Sequence, residues 1–182
     1  MAISDFTADH IGKSDGSFEP QRGNNILLFV NDLAGAETLT LSLQSFPLPK
    51  ISLNPVETPF MNQKRKFAGT PTFEDITAIF NDYVDQDTSG ILWRWFRIGH
   101  DPKTGKNGLA KDYKKTARAV LYSPEGSIQR DYFMEGLWIS NIDPGEGDMS
   151  SDEQVKMNIT FSCDKAYPKF DNYIDIYAGS LS

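Results

Sequence analysis

The sequence is short of the residues that most chemistry needs. It has one cysteine, Cys163, and two histidines, His10 and His100, in 182 residues. A lone cysteine excludes an internal disulfide and makes a reducing compartment the simple expectation. Together these residues cannot build a His/Cys zinc site. No apolar run approaches the roughly 18 to 20 residues that span a bilayer. The start, MAISDFTADHIGKSDG, has neither a basic opening nor an apolar run and does not read as a signal peptide. P-loop, GxGxxG and GxSxG patterns are all missing. Basic charge is also scarce: 18 Lys and Arg against 25 Asp and Glu leave a net charge of −7. That balance disfavours a protein gripping nucleic acid through its phosphates, though not one past which nucleic acid must slide.

What is present reads as one globular domain with a sizeable core, 39% hydrophobic and holding twelve Phe. Residues 1–24 form an arm broken by glycine and proline. NILLFV predicts a strand over 25–30. ETLTLSLQSF alternates, with Leu39, Leu41 and Leu43 opposite Thr38, Thr40, Ser42 and Gln44, and predicts a half-buried strand. PLPKISLNPVETPFMNQ, with prolines at 47, 49, 55 and 59, predicts an extended excursion outside any central strand. It is nevertheless apolar, and composition leaves open whether it packs on its own domain or on a neighbour. Strands are expected over 63–68 and 72–81, with Gly69–Pro71 as their turn. From Val84 the period changes: Val84, Ile91, Leu92, Trp95 and Phe96 fit one stripe of an amphipathic helix. Asp85, Asp87 or Ser89 can cap that helix, and Arg94 and Arg97 suit its C-terminal end. Residues 99–112 read as loop. Strands follow to Tyr122 and over 128–142. A last strand has Val155, Met157, Ile159, Phe161 and Cys163 on one face and Gln154, Lys156, Asn158, Thr160 and Ser162 on the other. The fold class is therefore mainly β (α+β), an antiparallel barrel or sandwich with one flanking helix.

The turn DPGEGDMSSDE, residues 143–153, gathers five carboxylates and two glycines. An EF-hand loop needs oxygen ligands at alternate positions and glycine at the sixth. Counted from Asp143, the third and fifth positions are glycines and the sixth is Asp148, so the register fails. No carboxylate pair is singled out for glycoside hydrolysis, and Cys163 on an apolar strand face reads as a small buried hydrophobe. The basic run Lys103, Lys106, Lys111, Lys114, Lys115 and Arg118 lacks the aromatics of a nucleic-acid platform. It reads as a solvated edge, or as a contact for an acidic partner or another copy. Trp95 and Trp138 read as core rather than as a sugar platform. Neither an enzyme, nor a cofactor, nor a metal is expected.

Three segments in order carry a resemblance. VETPFMNQKRKFAGTPTFEDITAIFND, LAKDYKKTARAVLY and YFMEGLWISNIDPGEGDMSSDEQVKMNITFSCDKAY resemble, in order and spacing, the tail tube proteins of contractile-tailed bacteriophages. Those proteins are related to the tubes of type VI secretion. Ile139 and Ser140 stand where a proline is common after the tryptophan. The resemblance implies a tube domain over 25–167, between the arm at 1–24 and a tail at 168–182. It further implies hexameric rings stacked into a tube whose lumen conducts the genome. The implied partners are other copies, a sheath protein, a baseplate and a tape-measure protein, with DNA passing unbound. The implied location is the virion, after synthesis in the host cytoplasm. On this reading Leu48, Ile51, Leu53, Val56, Phe60 and Met61 contact other subunits, and Gln154, Lys156, Asn158, Thr160 and Ser162 face the lumen. A secretion or other injection tube is the alternative within the class. A monomeric β-barrel ligand-binding module is the alternative outside it.

Overall fold

A computed structural model describes residues 21–147, 150 and 154–169. The arm at 1–20, part of the acidic turn and the tail from 170 lie outside the described residues. The chain folds as expected into a mainly β architecture. A seven-stranded antiparallel sheet is formed by β1 (Ile26–Val30), β2 (Leu43–Ser45), β5 (Ile76–Asn81), β8 (Lys115–Tyr122), β9 (Ile128–Asp143), β10 (Lys156–Ser162) and β11 (Lys165–Lys169). Its order is β1-β8-β9-β10-β5-β2, with β11 also on β9. The sheet curls into a half-barrel.

β9 organises that curl. Its first half pairs with β8 and β11, and its last residues pair with β10. β10 and β11 lie end to end along it, Ser162 opposite Trp138 and Lys165 opposite Glu135, interrupted only at Cys163–Asp164. β9 carries an extra residue against β8 at that same level, between Met134 and Leu137. Gly136 supplies it in a left-handed conformation, φ +66°, where a Cβ would collide with the Asp164 carboxylate. Such a bulge sharpens local twist and bends the strand. Lys114 Nζ closes the corner with two 2.7 Å hydrogen bonds to Asp164.

The inner face of the curl is filled by α2 (Thr88–Gly99), the longest helix among the described residues. Leu92 and Trp95 are buried against Phe80, Met157, Ile159 and Phe161, and the Trp95 ring lies 5.6 Å from that of Phe161. Trp95 keeps its indole N–H satisfied by donating to Tyr113 O at 2.8 Å. Asp87 caps α2 by accepting from Gly90 N at 2.9 Å. Val84 does not join the apolar stripe: the helix begins at Thr88, and Val84 is fully exposed in the preceding loop.

The expected strand at 38–44 is instead α1 (Ala36–Ser42) running into the short β2. Leu39, Ser42, Leu43 and Phe46 recur at helical spacing and turn inward, while Leu41 is left 79% exposed. The hydroxyls of Thr40 and Ser42 satisfy themselves on the carbonyls of Ala36 and Thr38, four residues back. The Gly69–Pro71 turn is also absent. β4 (Gln63–Phe73) runs through it, with a register shift opposite Leu53–Pro55, and the real turn is at Met61–Asn62. The region read as loop holds a two-residue ladder, β6 (His100–Asp101) with β7 (Lys106–Asn107), and a helical turn, α3 (Ala110–Tyr113). The last strand divides into β10 and β11, leaving Gln154 and Val155 ahead of it and Cys163 at the break.

Candidate assembly surfaces

The proline-rich excursion forms β3 (Ile51–Phe60), which pairs only with β4. In a two-stranded ribbon each strand has one unpaired edge, which is where Pro55, Pro59 and Pro71 are tolerated. The ribbon lies outside the main sheet and nearly every residue in it is exposed. Cross-strand partners share a face, so the register sets Val56 beside Phe67, Thr58 beside Arg65 and Phe60 beside Gln63 on one side. Glu57 opposes Lys66, Pro59 opposes Lys64, and Glu57 takes both lysines in ion pairs at 3.4 and 3.5 Å. One face is thus apolar around a single guanidinium, while the other is charge-compensated. Phe60 is 62% exposed and Met61, at the tip, 91%. Of the predicted contact residues, Val56 and Phe60 share that apolar face, Ile51 and Leu53 lie nearer the base, and Leu48 precedes the ribbon, half-buried. Phe67 and Arg65 complete the face. Sequence reading passed over them because QKRKFAG looks like an ordinary polar strand, and only the register reveals their partners.

The predicted polar face of the last strand is present. Met157, Ile159 and Phe161 of β10 are buried, while Lys156 is exposed and Asn158, Thr160 and Ser162 are half-buried on the opposite side. Thr160 meets Thr77 of β5 through their hydroxyls at 3.3 Å, and Asn158 Nδ2 donates to Asp143 at 3.3 Å. Gln154 lies before the strand and donates to Asp82 O at 3.4 Å. The described part of the acidic turn behaves as a turn: Asp143 Oδ1 accepts from Gly145 N at 3.1 Å, and Gly145 has φ +76°.

The remaining candidates have structural duties. Trp138 packs edge-on to Tyr113, and Trp93 to Phe96. His100 Nδ1 is hydrogen-bonded to Asn107 Oδ1 at 2.7 Å; His10 lies outside the described residues. Burial, and then the charges of Asp75 and Asp164, push the Cys163 thiol up from its ordinary value. Within the basic run, Lys114 pairs with Asp164, and Arg118 Nε donates to both oxygens of the buried Asp131 at 2.7 Å. Among the described residues no three His, Cys, Asp or Glu side chains converge as a metal site, and no helix is long and apolar enough to cross a membrane.

What stands out is an exposed two-faced ribbon and a sheet with one polar face. No family model matches the chain. The tail tube protein gp19 of Enterobacteria phage T4 is 26% identical over 133 residues, covering 70% of this chain and 80% of gp19. The fold is also found in a chain of the anti-feeding prophage tube-terminating cap, with TM-score 0.67, 14% identity, and 93% and 99% of the two chains covered. A chain of the PVC sheath–tube complex of an extracellular contractile injection system in its extended state gives TM-score 0.65 at 15% identity, covering 82% and 91%. The chain is thus a homologue of the phage tail tube protein, with the tube-protein fold shared by contractile phage tails and injection systems.

Proposed function

We propose that the protein is the inner tube subunit of a contractile phage tail, in which hexameric rings stack into a tube whose lumen conducts the genome during ejection. The homology to gp19 over four-fifths of that protein carries the reading. Residues 25–167 are the tube domain, with 1–24 as an arm and 168–182 as a tail. The polar face of Gln154, Lys156, Asn158, Thr160 and Ser162 lines the lumen: four of these five are uncharged, and Lys156 stands within an overall charge of −7 that disfavours a grip on phosphate. The ribbon bearing Ile51, Leu53, Val56, Phe60 and Met61, with Leu48 just before it, makes the contacts between subunits or rings. Its exposed apolar residues support this, since so much exposed apolar surface marks an interaction site. The free edges of the open sheet, β1 and β2, gain partners in such an assembly. The sheath, the baseplate and a tape-measure protein are its other partners, and the virion is its destination after synthesis in the host cytoplasm. The subunit works as a wall, not as an enzyme. A tube of another contractile injection system is the second reading, favoured by the fold shared with those machines.

Negative-stain microscopy of the purified chain at rising concentration tests the proposal. Hollow tubes or rings of uniform diameter are expected. A protein that stays monomeric at every concentration is instead a ligand-binding module.

A further inference from the structure

Resting on the tube-subunit reading, we infer which surface of a second copy receives the ribbon: the groove between α1 and the loop at 82–87. This groove, about 400 Å³, is lined by Glu37, Thr38, Leu41, Ser42, Tyr83 and Gln86. Its apolar members are exposed beyond what a monomer needs, Leu41 at 79% and Tyr83 at 43%. Glu37 lines one bank, and the loop that supplies Tyr83 and Gln86 to the other carries the exposed Asp85 between them. Arg94 answers Asp87 at 3.6 Å and Asp82 Oδ1 accepts from Ser89 N at 3.4 Å, which leaves Glu37 and Asp85 as acids without an ion pair among the described residues.

The ribbon face offers the complement. Val56, Phe60 and Phe67 surround Arg65, which has no ion pair among the described residues, whereas Lys64 and Lys66 are spent on Glu57. Charge distinguishes the groove from the apolar row on the outer face of the sheet. The row Phe29, Phe133 and Tyr167 on the outer face of the sheet carries Arg118, Lys165 and Lys169 against Asp131 and Glu135, and does not favour a guanidinium. The groove does. Arg65 thus settles against Glu37 and Asp85 while Phe60 and Phe67 cover Leu41 and Tyr83. Donor and acceptor are different surfaces of one chain, so the contact is heterologous. It leaves a free ribbon and a free groove at the ends of any open series, as a growing ring or tube requires.

The test is charge reversal in the full chain. Arg65→Glu alone, and Glu37→Lys with Asp85→Lys, are each expected to raise the protein concentration needed for assembly roughly tenfold or more, and the three together to restore it. All three positions are exposed, and unchanged circular dichroism and melting of the monomers verifies the fold. In a Cys163→Ala background, Arg65→Cys with Gln86→Cys is expected to give oxidative cross-links between copies within tubes. Tubes from the parent chain together with normal assembly of the groove variants, or with no cross-link, overturn the groove while leaving the subunit reading intact. A parent chain that never assembles overturns both.

Discussion

At position 136 a methyl group has no room beside the Asp164 carboxylate, and the backbone is already in the left-handed region. Gly136→Ala is therefore expected to lower stability by about 1–3 kcal/mol, read as a shift in denaturation midpoint. Trp95 is a larger stake, fully buried and bonded through its indole to Tyr113. Truncating it to alanine is expected to cost about 3–5 kcal/mol and to show in the same measurement. Cys163 gives a pH-dependent test. Its thiol is raised first by burial and then by Asp75 and Asp164, so the native state disfavours the thiolate. The stability this contributes is complete at neutral pH and is lost as pH rises through the folded value. Alkylation of the native protein is accordingly expected to lag behind that of the unfolded chain near pH 8, with the gap closing at higher pH.

Among elements, the β3–β4 ribbon stands apart because it pairs with nothing but itself. Replacing residues 52–72 by a short flexible turn is expected to leave a monomer with its cooperative melt intact. Rings and tubes are expected to disappear in the microscope, since the shortened chain lacks its exposed apolar face. Loss of the Asp87 cap is milder: Asp87→Ala is expected to cost about 1 kcal/mol. How far each element could be read from the sequence depended on how far its signal was local. β10 and α2 announce themselves through runs of one period. The segment 36–46 carries two periods at once, alternating leucines and a helical set at 39, 42, 43 and 46. Packing against β1 and α2 decides for the helix, aided by the Thr40 hydroxyl donating to Leu28 O at 2.6 Å. Asp87 was legible as a helix cap, but the true start at Thr88 put Val84 outside the stripe. The ribbon was legible as an exposed excursion, whereas its sidedness depends on which residue opposes which. That is fixed by a register shift no single strand reveals.

For the molecule as a whole, a net charge of −7 disfavours a surface that holds phosphate. The subunit is expected to show no retention of duplex DNA in a mobility-shift assay at low or moderate salt. Weakening of assembly by salt is expected instead, because contacts between opposite charges on different copies are screened as the Debye length falls below about 10 Å. The corner at Gly136 bears on scale as well as on stability. It is where β9 bends, where β10 gives way to β11 and where Lys114 grips Asp164, so it sets the angle through which one protomer turns its sheet. In a closed ring that angle, repeated, must add up to a full revolution. If the proposed ring forms, loosening this glycine and this ion pair is expected to yield rings with a different number of subunits, read by microscopy.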